Sequence, residues 1–287
     1  MSTMATGGEN IFVTQPEFID DDPRTARPET LGYRIDATFM LRRHLIFLPK
    51  ELVENRSILD LGSCNAATGA WCLSQGAKFY KGVEMQDDFV RTSVKNLSKY
   101  YPRTHWDIER KSIEDFLAEN KLTFDIIVAS GVLHAFSNVI DIVKRIAEIG
   151  NLIVIDAEHP RTLKASSFLS ARTKAQFTAL PEYVTFIENE PFISLQTTGM
   201  ALADRKTVVF TGYVPSMGAL ISIIVRSGFS YVPAVNQALK KDLPKIYSPQ
   251  GRFGLAFFRI ASDKSAAVGL SDSLKSPTDY KVIAWEK

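Results

Sequence analysis

Two histidines and two carboxylates stand where chemistry is expected. His134 follows the apolar run FDIIVASGVL, and His159 follows NLIVIDAE. Asp60 ends the run SILD, and Glu84 ends FYKGVE. An imidazole takes a proton from an acceptor hydroxyl near neutral pH without a large pKa shift. A carboxylate at the end of a strand can offer its charge to a cation or accept hydrogen bonds from paired hydroxyls. His44 and His105 have less to offer: His44 sits in a basic cluster, Arg42-Arg43-His44, that reads as a solvated face or a contact for an acidic substrate. Asp156, Glu158 and His159 are spaced i, i+2, i+3 in a loop, a weak pattern for a divalent ion, and the chain lacks CxxC and His/Cys clusters. No metal is expected.

The turn after Asp60 narrows the ligand. From Gly62 it reads Gly-Ser-Cys-Asn-Ala-Ala. A dinucleotide site needs G-x-G-x-x-G so that main chain can approach a pyrophosphate, and Cys64 stands at the second glycine. A P-loop needs G-x-x-x-x-G-K-[ST], and no Lys follows Gly69. Both patterns serve phosphates. The nucleoside ligand left is S-adenosylmethionine (SAM), which carries a sulfonium, an amino-acid tail and an adenosine. Asp60 offers negative charge to its cationic half, and main-chain groups from Gly62 to Asn65 can take its carboxylate and amine. Glu84, 22 residues after Gly62, stands where an acid accepts the ribose hydroxyls.

These residues require a strand–turn–helix frame. Strands are predicted at 57–61, 79–84, 104–108, 124–129, 151–156, 229–233 and 253–260, and helices at 32–48, 67–75, 87–100, 112–119, 138–148 and 216–227. Residues 1 to about 30 are polar and irregular and predict an extended arm. The βα rhythm fails over 157–212, which predicts a lid or insertion. The last two strands, joined by a Lys/Pro-rich connection, predict an antiparallel hairpin at the sheet edge. The expected fold is α/β: a Rossmann-like, seven-stranded, mostly parallel sheet with an antiparallel edge hairpin and a lid insertion. The divisions are an N-terminal arm and helix (1–56), a core (57–156), the insertion (157–212), and the rest of the core with its tail (213–287).

The series ILDLGSCNAATGAW, KGVEMQ, KSIEDF, FDIIVASGVLHAF and NLIVIDAE, followed by PSMGALISIIVRSGF, resembles the ordered motifs of class I SAM-dependent methyltransferases. The resemblance covers about two-thirds of the chain. It departs at E/D-x-G-x-G-x-G, here Asp60-x-Gly62-x-Cys64-x-Ala66, where small residues replace two glycines. It implies that Asp60, Gly62, Ser63 and Asn65 hold the methionine part. Glu84 takes the ribose, Met85 lies against the adenine, and Ser112 and Ile113 frame its edge. Ala129, Ser130 and Gly131 end the fourth strand beside the reacting methyl. His134 and His159 are the candidate bases.

In the insertion, Phe168, Phe177, Tyr183, Phe186 and Phe192 form a lid core or line the acceptor pocket, with Arg161, Lys164, Arg172 and Lys174 available for an anionic group. Net charge is +2, so composition makes no case for a polyanion partner. The expected activity is methyl transfer to a small molecule or sugar, at oxygen or nitrogen. An RNA-modifying enzyme of the tRNA wobble-uridine type and a catalytically silent scaffold are the alternatives, and the missing phosphate glycines argue against a dehydrogenase. Two cysteines, Cys64 and Cys72, are too few for a disulfide framework. With no secretory signal and no apolar run of spanning length, a soluble, cytoplasmic protein is expected.

Overall fold

In the computed structural model, residues 10–21, 36–136, 138–158, 184–187, 190–201, 207–244, 246–247 and 252–260 are described. Seven strands form one sheet: β1 (Ser57–Leu61), β2 (Phe79–Glu84), β3 (Trp106–Arg110), β4 (Phe124–Ser130), β5 (Gly150–Glu158), β9 (Phe229–Tyr231) and β10 (Arg252–Arg259). Their spatial order is β3-β2-β1-β4-β5-β10-β9. β1 pairs in parallel with β2 and β4, and β2–β3 and β4–β5 are parallel too. β10 runs antiparallel to both β5 and β9. Strand order reverses at β1 and β4, so the crevice at their carboxyl ends is where an open sheet of this kind takes its ligand.

Alternation along the strands builds two cores. Ile58, Tyr80, Trp106, Ile126, Val128, Leu152 and Val154 point to one face. They pack under helices Ala37–Phe47, Ala67–Ser74, Asp87–Tyr100 and Pro233–Asp242. Leu59, Leu61, Val83, Ile127, Ala129, Ile153 and Ile155 point to the other, under helices Ile113–Glu119, Val139–Ile149 and Met217–Arg226. Side-chain caps set four helix starts: the oxygens of Asn10, Asp36, Ser112 and Ser216 accept from the amides of Phe12, Phe39, Asp115 and Ala219 at 3.1, 2.8, 3.0 and 3.1 Å. Gly254 in β10 admits close packing, because a Cβ there would lie 2.1 Å from Leu239 and 2.6 Å from Phe47.

The sheet and most predicted elements agree with the expectations, and four regions differ. Residues 10–21, expected as irregular arm, form two short helices, Ile11–Thr14 and Glu17–Asp20, whose Phe12 and Phe18 enter the first core. The helix predicted from residue 32 begins at Ala37, where Asp36 caps it. The last two sheet strands are joined by a helix, Pro233–Asp242, started by a proline in its first turn. Within the predicted insertion, β6 (Val184–Ile187), β7 (Glu190–Ala201) and β8 (Thr207–Pro215) make a separate antiparallel sheet in the order β6-β7-β8. β7 and β8 approach the 3-10 turn Leu133–Ala135, which follows β4.

Candidate functional site

The turn after β1 is a run of tight backbone. Gly62, Cys64 and Ala66 hold φ values of 74°, 49° and 60°. These are the three positions at which the resembled motif carries glycine, and here a thiol side chain and a methyl accept the left-handed conformation at a steric cost. Neighbours fix the shape. The amides of Gly62 and Ser63 both donate to the Val83 carbonyl, at 2.9 and 3.1 Å, tying the turn to β2. A Cβ on Gly62 would lie 2.2 Å from Val132 Cγ1, so glycine lets the segment after β4 close on the turn, with Ile113 Cδ1 at ordinary contact distance, 3.9 Å.

Glu84 joins the same turn from β2. Its Oε2 accepts from the Cys64 amide at 3.0 Å and its Oε1 from the Gln86 amide at 2.9 Å. Two main-chain donors thus set the orientation of a buried carboxylate at the strand end. Met85 beside it is 56% exposed, a large apolar side chain held toward solvent next to an acid. Ser112 caps the helix that follows β3: its hydroxyl accepts from the Asp115 amide and donates to Asp115 Oδ2 at 2.7 Å.

Asp60 lies under the turn, 3% exposed, and accepts from the Tyr80 hydroxyl at 2.8 Å. Burial pushes its carboxyl up to about 6, against the opposing pull of the Tyr80 bond and of Arg43. Ser63 is buried in the turn. Asn65 is buried as well, and its side-chain amide donates to the Phe18 carbonyl at 2.8 Å, which ties the N-terminal helices to the turn. The Asn65 side-chain nitrogen is thus committed to the N-terminal segment.

At the ends of β4 and β5 stands a cluster that sequence reasoning did not assemble. Asp156 Oδ2 accepts from Arg43 Nε at 3.0 Å and Nη2 at 2.7 Å, and its Oδ1 accepts from Arg252 Nε at 2.8 Å. Ser130 donates to Asp156 Oδ2 at 3.3 Å and accepts from Arg43 Nη2. The two guanidiniums hold the Asp156 carboxyl below its ordinary value although burial opposes them. The Gly131 amide donates to the Asp156 carbonyl at 2.7 Å, joining the two strand ends. Arg42-Arg43-His44 is thus divided: Arg42 is exposed, while Arg43 and His44 turn inward. His44 Nδ1 donates to the Met40 carbonyl at 2.7 Å, and its Nε2 faces the Thr68 hydroxyl at 3.3 Å. Burial, with Arg43 beside it, lowers its pKa to about 3, so it is a neutral core group.

His134 lies on the turn after β4, partly buried and beside β8. His159 falls outside the described residues, as do Phe168, Phe177, Tyr183, Arg161, Lys164, Arg172 and Lys174; Phe186 and Phe192 fall on β6 and β7. Among the described residues no group of three or more His, Cys, Asp and Glu is placed to hold a metal ion. The structure therefore brings Asp60, Gly62, Ser63, Asn65, Glu84, Met85 and Ile113 around one turn, with Ser130 and His134 at the end of the adjacent strand. Arg43 and Arg252 are the additions. Each was visible as a basic residue, but their shared partner lies 113 residues from one and 96 from the other.

No protein-family description matches the chain, and no curated protein matches it. Solved structures do. A protein of Listeria monocytogenes assigned as an S-adenosylmethionine-dependent methyltransferase superposes with a TM-score of 0.50 at 15% identity, covering 76% of this chain and 97% of its own. The N-terminal domain of EvdMO1, solved in the presence of S-adenosylhomocysteine (SAH) and D-fucose, superposes with a TM-score of 0.50 at 11% identity, over 76% of this chain and 82% of that domain. The fold is that of the class I SAM-dependent methyltransferases. The methyltransferase fold accounts for the antiparallel β10 between β5 and β9 and for the position of the turn at the strand-order reversal. Among the described residues, no helix is long and apolar enough to cross a membrane.

Proposed function

We propose that this chain binds SAM and transfers its methyl group to a small-molecule or sugar acceptor, at oxygen or nitrogen. The observation that carries the proposal is the coupling of Glu84 to the turn. A buried carboxylate is anchored by the Cys64 and Gln86 amides, next to three left-handed residues and an exposed Met85. That fixed acceptor suits a ribose diol and the exposed Met85 an adenine face, and the turn lacks the second and third glycines a pyrophosphate requires. Asp60, Gly62, Ser63 and the main chain of Asn65 would hold the methionine part. Met85, Ser112 and Ile113 would border the adenine. When bound, SAM supplies a methyl group activated by its sulfonium.

The chain's own work is positioning and proton removal. Asp60 sets negative charge under the cationic half of the donor. Ser130 and Gly131 close the floor at the end of β4. His134, three residues beyond, removes the proton from the acceptor, and the β6–β8 sheet beside it excludes water and shapes acceptor choice. His159 is the second candidate base. The D-fucose present with the EvdMO1 domain supports a sugar acceptor. The test is calorimetric titration with SAH. Glu84→Ala is expected to weaken binding at least tenfold relative to the unsubstituted chain, because fixed acceptors for the ribose are lost. Unchanged affinity would overturn the ribose assignment.

A further inference from the structure

A closed ring of contacts holds the turn after β1, and one link of that ring is the N-terminal segment 10–21. Cys64 and Ala66 keep left-handed backbone without being glycine, a conformation that persists where surrounding structure enforces it. Asn65 stands between them, and its side-chain amide donates to the carbonyl of Phe18, 47 residues earlier in the chain, at 2.8 Å. The Cys64 carbonyl accepts from the Ser93 hydroxyl at 2.8 Å, on the Asp87–Tyr100 helix. That same helix holds the segment. The Tyr100 hydroxyl donates to Glu17 at 2.8 Å, Lys99 pairs with Glu17, and the Asn96 side-chain amide donates to Asp21 at 3.1 Å. Turn, segment and helix are therefore joined pairwise. Tyr101 adds a further link: its hydroxyl lies 3.0 Å from both the Gln15 side-chain oxygen and the carbonyl of Ala70, on the helix that starts at the turn. Phe12 and Phe18 bury the segment's apolar side in the first core.

We infer that residues 10–21 are a coupled part of the donor site, with Asn65 as the positioning residue: donor binding firms the docking of the segment, and docking tightens donor binding. The inference rests on the SAM reading of the turn and adds to it control by a segment outside the motif series. Two helices of four residues do not hold their shape alone, so the segment takes its order from its contacts. The rim contacts are weak ones. Lys95 and Lys99 are exposed in their pairs with Asp21 and Glu17, and such pairs contribute little. The Asn65 bond is buried, and losing it leaves the Phe18 carbonyl unsatisfied in the interior. Of the segment's links, this one reads the shape of the turn. A ligand seated on the turn fixes its backbone and keeps Asn65 aimed at Phe18. Departure of the segment removes a restraint from the residue between two strained ones. Thermodynamic linkage makes the two effects equal in factor.

The experiment is amide hydrogen–deuterium exchange on the full chain, with and without saturating SAH, paired with calorimetric titration of SAH. In the unsubstituted chain SAH is expected to slow exchange across residues 11–20 by about fivefold or more. The slowing should exceed that of the Pro233–Asp242 helix, which packs on β10 and on the Ala37–Phe47 helix. That comparison separates local coupling from the general stabilisation any ligand gives a fold. Asn65→Ala is expected to weaken SAH binding by about fivefold or more and to cut the slowing over 11–20 below about twofold. Phe18→Ala, which leaves the residues of the turn in place, is expected to weaken SAH binding by a similar factor. The double variant should bind within about twofold of the weaker single variant, because both substitutions break one link. Should Asn65→Ala fail to fold, Phe18→Ala and the exchange of the unsubstituted chain carry the test. Exchange over 11–20 that ignores SAH, or folded variants that keep SAH affinity within about twofold, would overturn the inference and leave the cofactor assignment standing. No binding of SAH to the unsubstituted chain would overturn the cofactor assignment, and the inference with it.

Discussion

Asp60 answers two opposing demands. Burial raises the pKa of its carboxyl to about 6 although the Tyr80 hydrogen bond opposes this, and it must face a cationic ligand in the charged form. In the unfolded chain the same group ionises near 4. Between these values the native state holds the extra proton, so stability falls as pH rises from about 4 to about 6 and stays lower above. Asp60→Asn removes that fall. Urea denaturation is expected to show the variant close to the unsubstituted chain at pH 4 and more stable by about 2–3 kcal/mol at pH 8. Its SAM affinity is expected to drop, because the charge under the sulfonium is gone. An equal loss of stability with pH in both proteins would contradict the burial account. His134 carries a different expectation. Once an acceptor is turned over, His134→Ala should lower kcat about 100-fold, the order of one general base, with SAH affinity unchanged. Equal turnover would remove His134 as the base.

At this scale the sequence was legible where the signal is local. Gly62, Glu84 and Met85 stand where strand ends and their acids placed them. Small residues at Cys64 and Ala66 could be read, but their left-handed backbone could not, because a non-glycine residue normally avoids it. Arg43 looked like part of a solvated basic face. Its inward direction depends on Asp156, a partner no spacing rule connects to it.

Among the elements, the N-terminal helices Ile11–Thr14 and Glu17–Asp20 are the least expected and the most consequential. Phe18 is fully buried, Glu17 bonds Lys99 and the Tyr100 hydroxyl, and the Phe18 carbonyl receives the Asn65 amide. The segment is held by partners on the Asp87–Tyr100 helix and on the ligand turn, not by its own propensity. Helices of four residues are below the length that stands alone, which is why a polar stretch with prolines reads as arm. Phe18→Ala should cost about 3–5 kcal/mol in urea denaturation, the range for a buried aromatic. A loss under 1 kcal/mol would show that the segment does not pack in solution. Strands β1, β2 and β4 were legible because apolar runs bounded by acids or turn residues carry the signal within themselves. The β6–β8 sheet was not, because its pairing joins residues across a stretch without helix or strand period. The Pro233–Asp242 helix was obscured by its lysines and by the prolines around it, although Val235 and Leu239 keep the i, i+4 spacing of its buried face.

For the whole molecule, the strand order and the methyltransferase-like superposition describe the scaffold, and the ligand is decided by the turn that scaffold presents. Scaffolds of this architecture serve several nucleoside cofactors, so fold alone does not choose among them. The choice rests on the loss of phosphate-admitting glycines combined with a pinned strand-end acid. Equilibrium dialysis of the full chain against labelled SAM tests that choice directly. Saturable 1:1 binding in the micromolar range is expected, displaced by SAH and untouched by a large excess of NAD. Displacement by NAD, or no retention of SAM at all, would contradict the account.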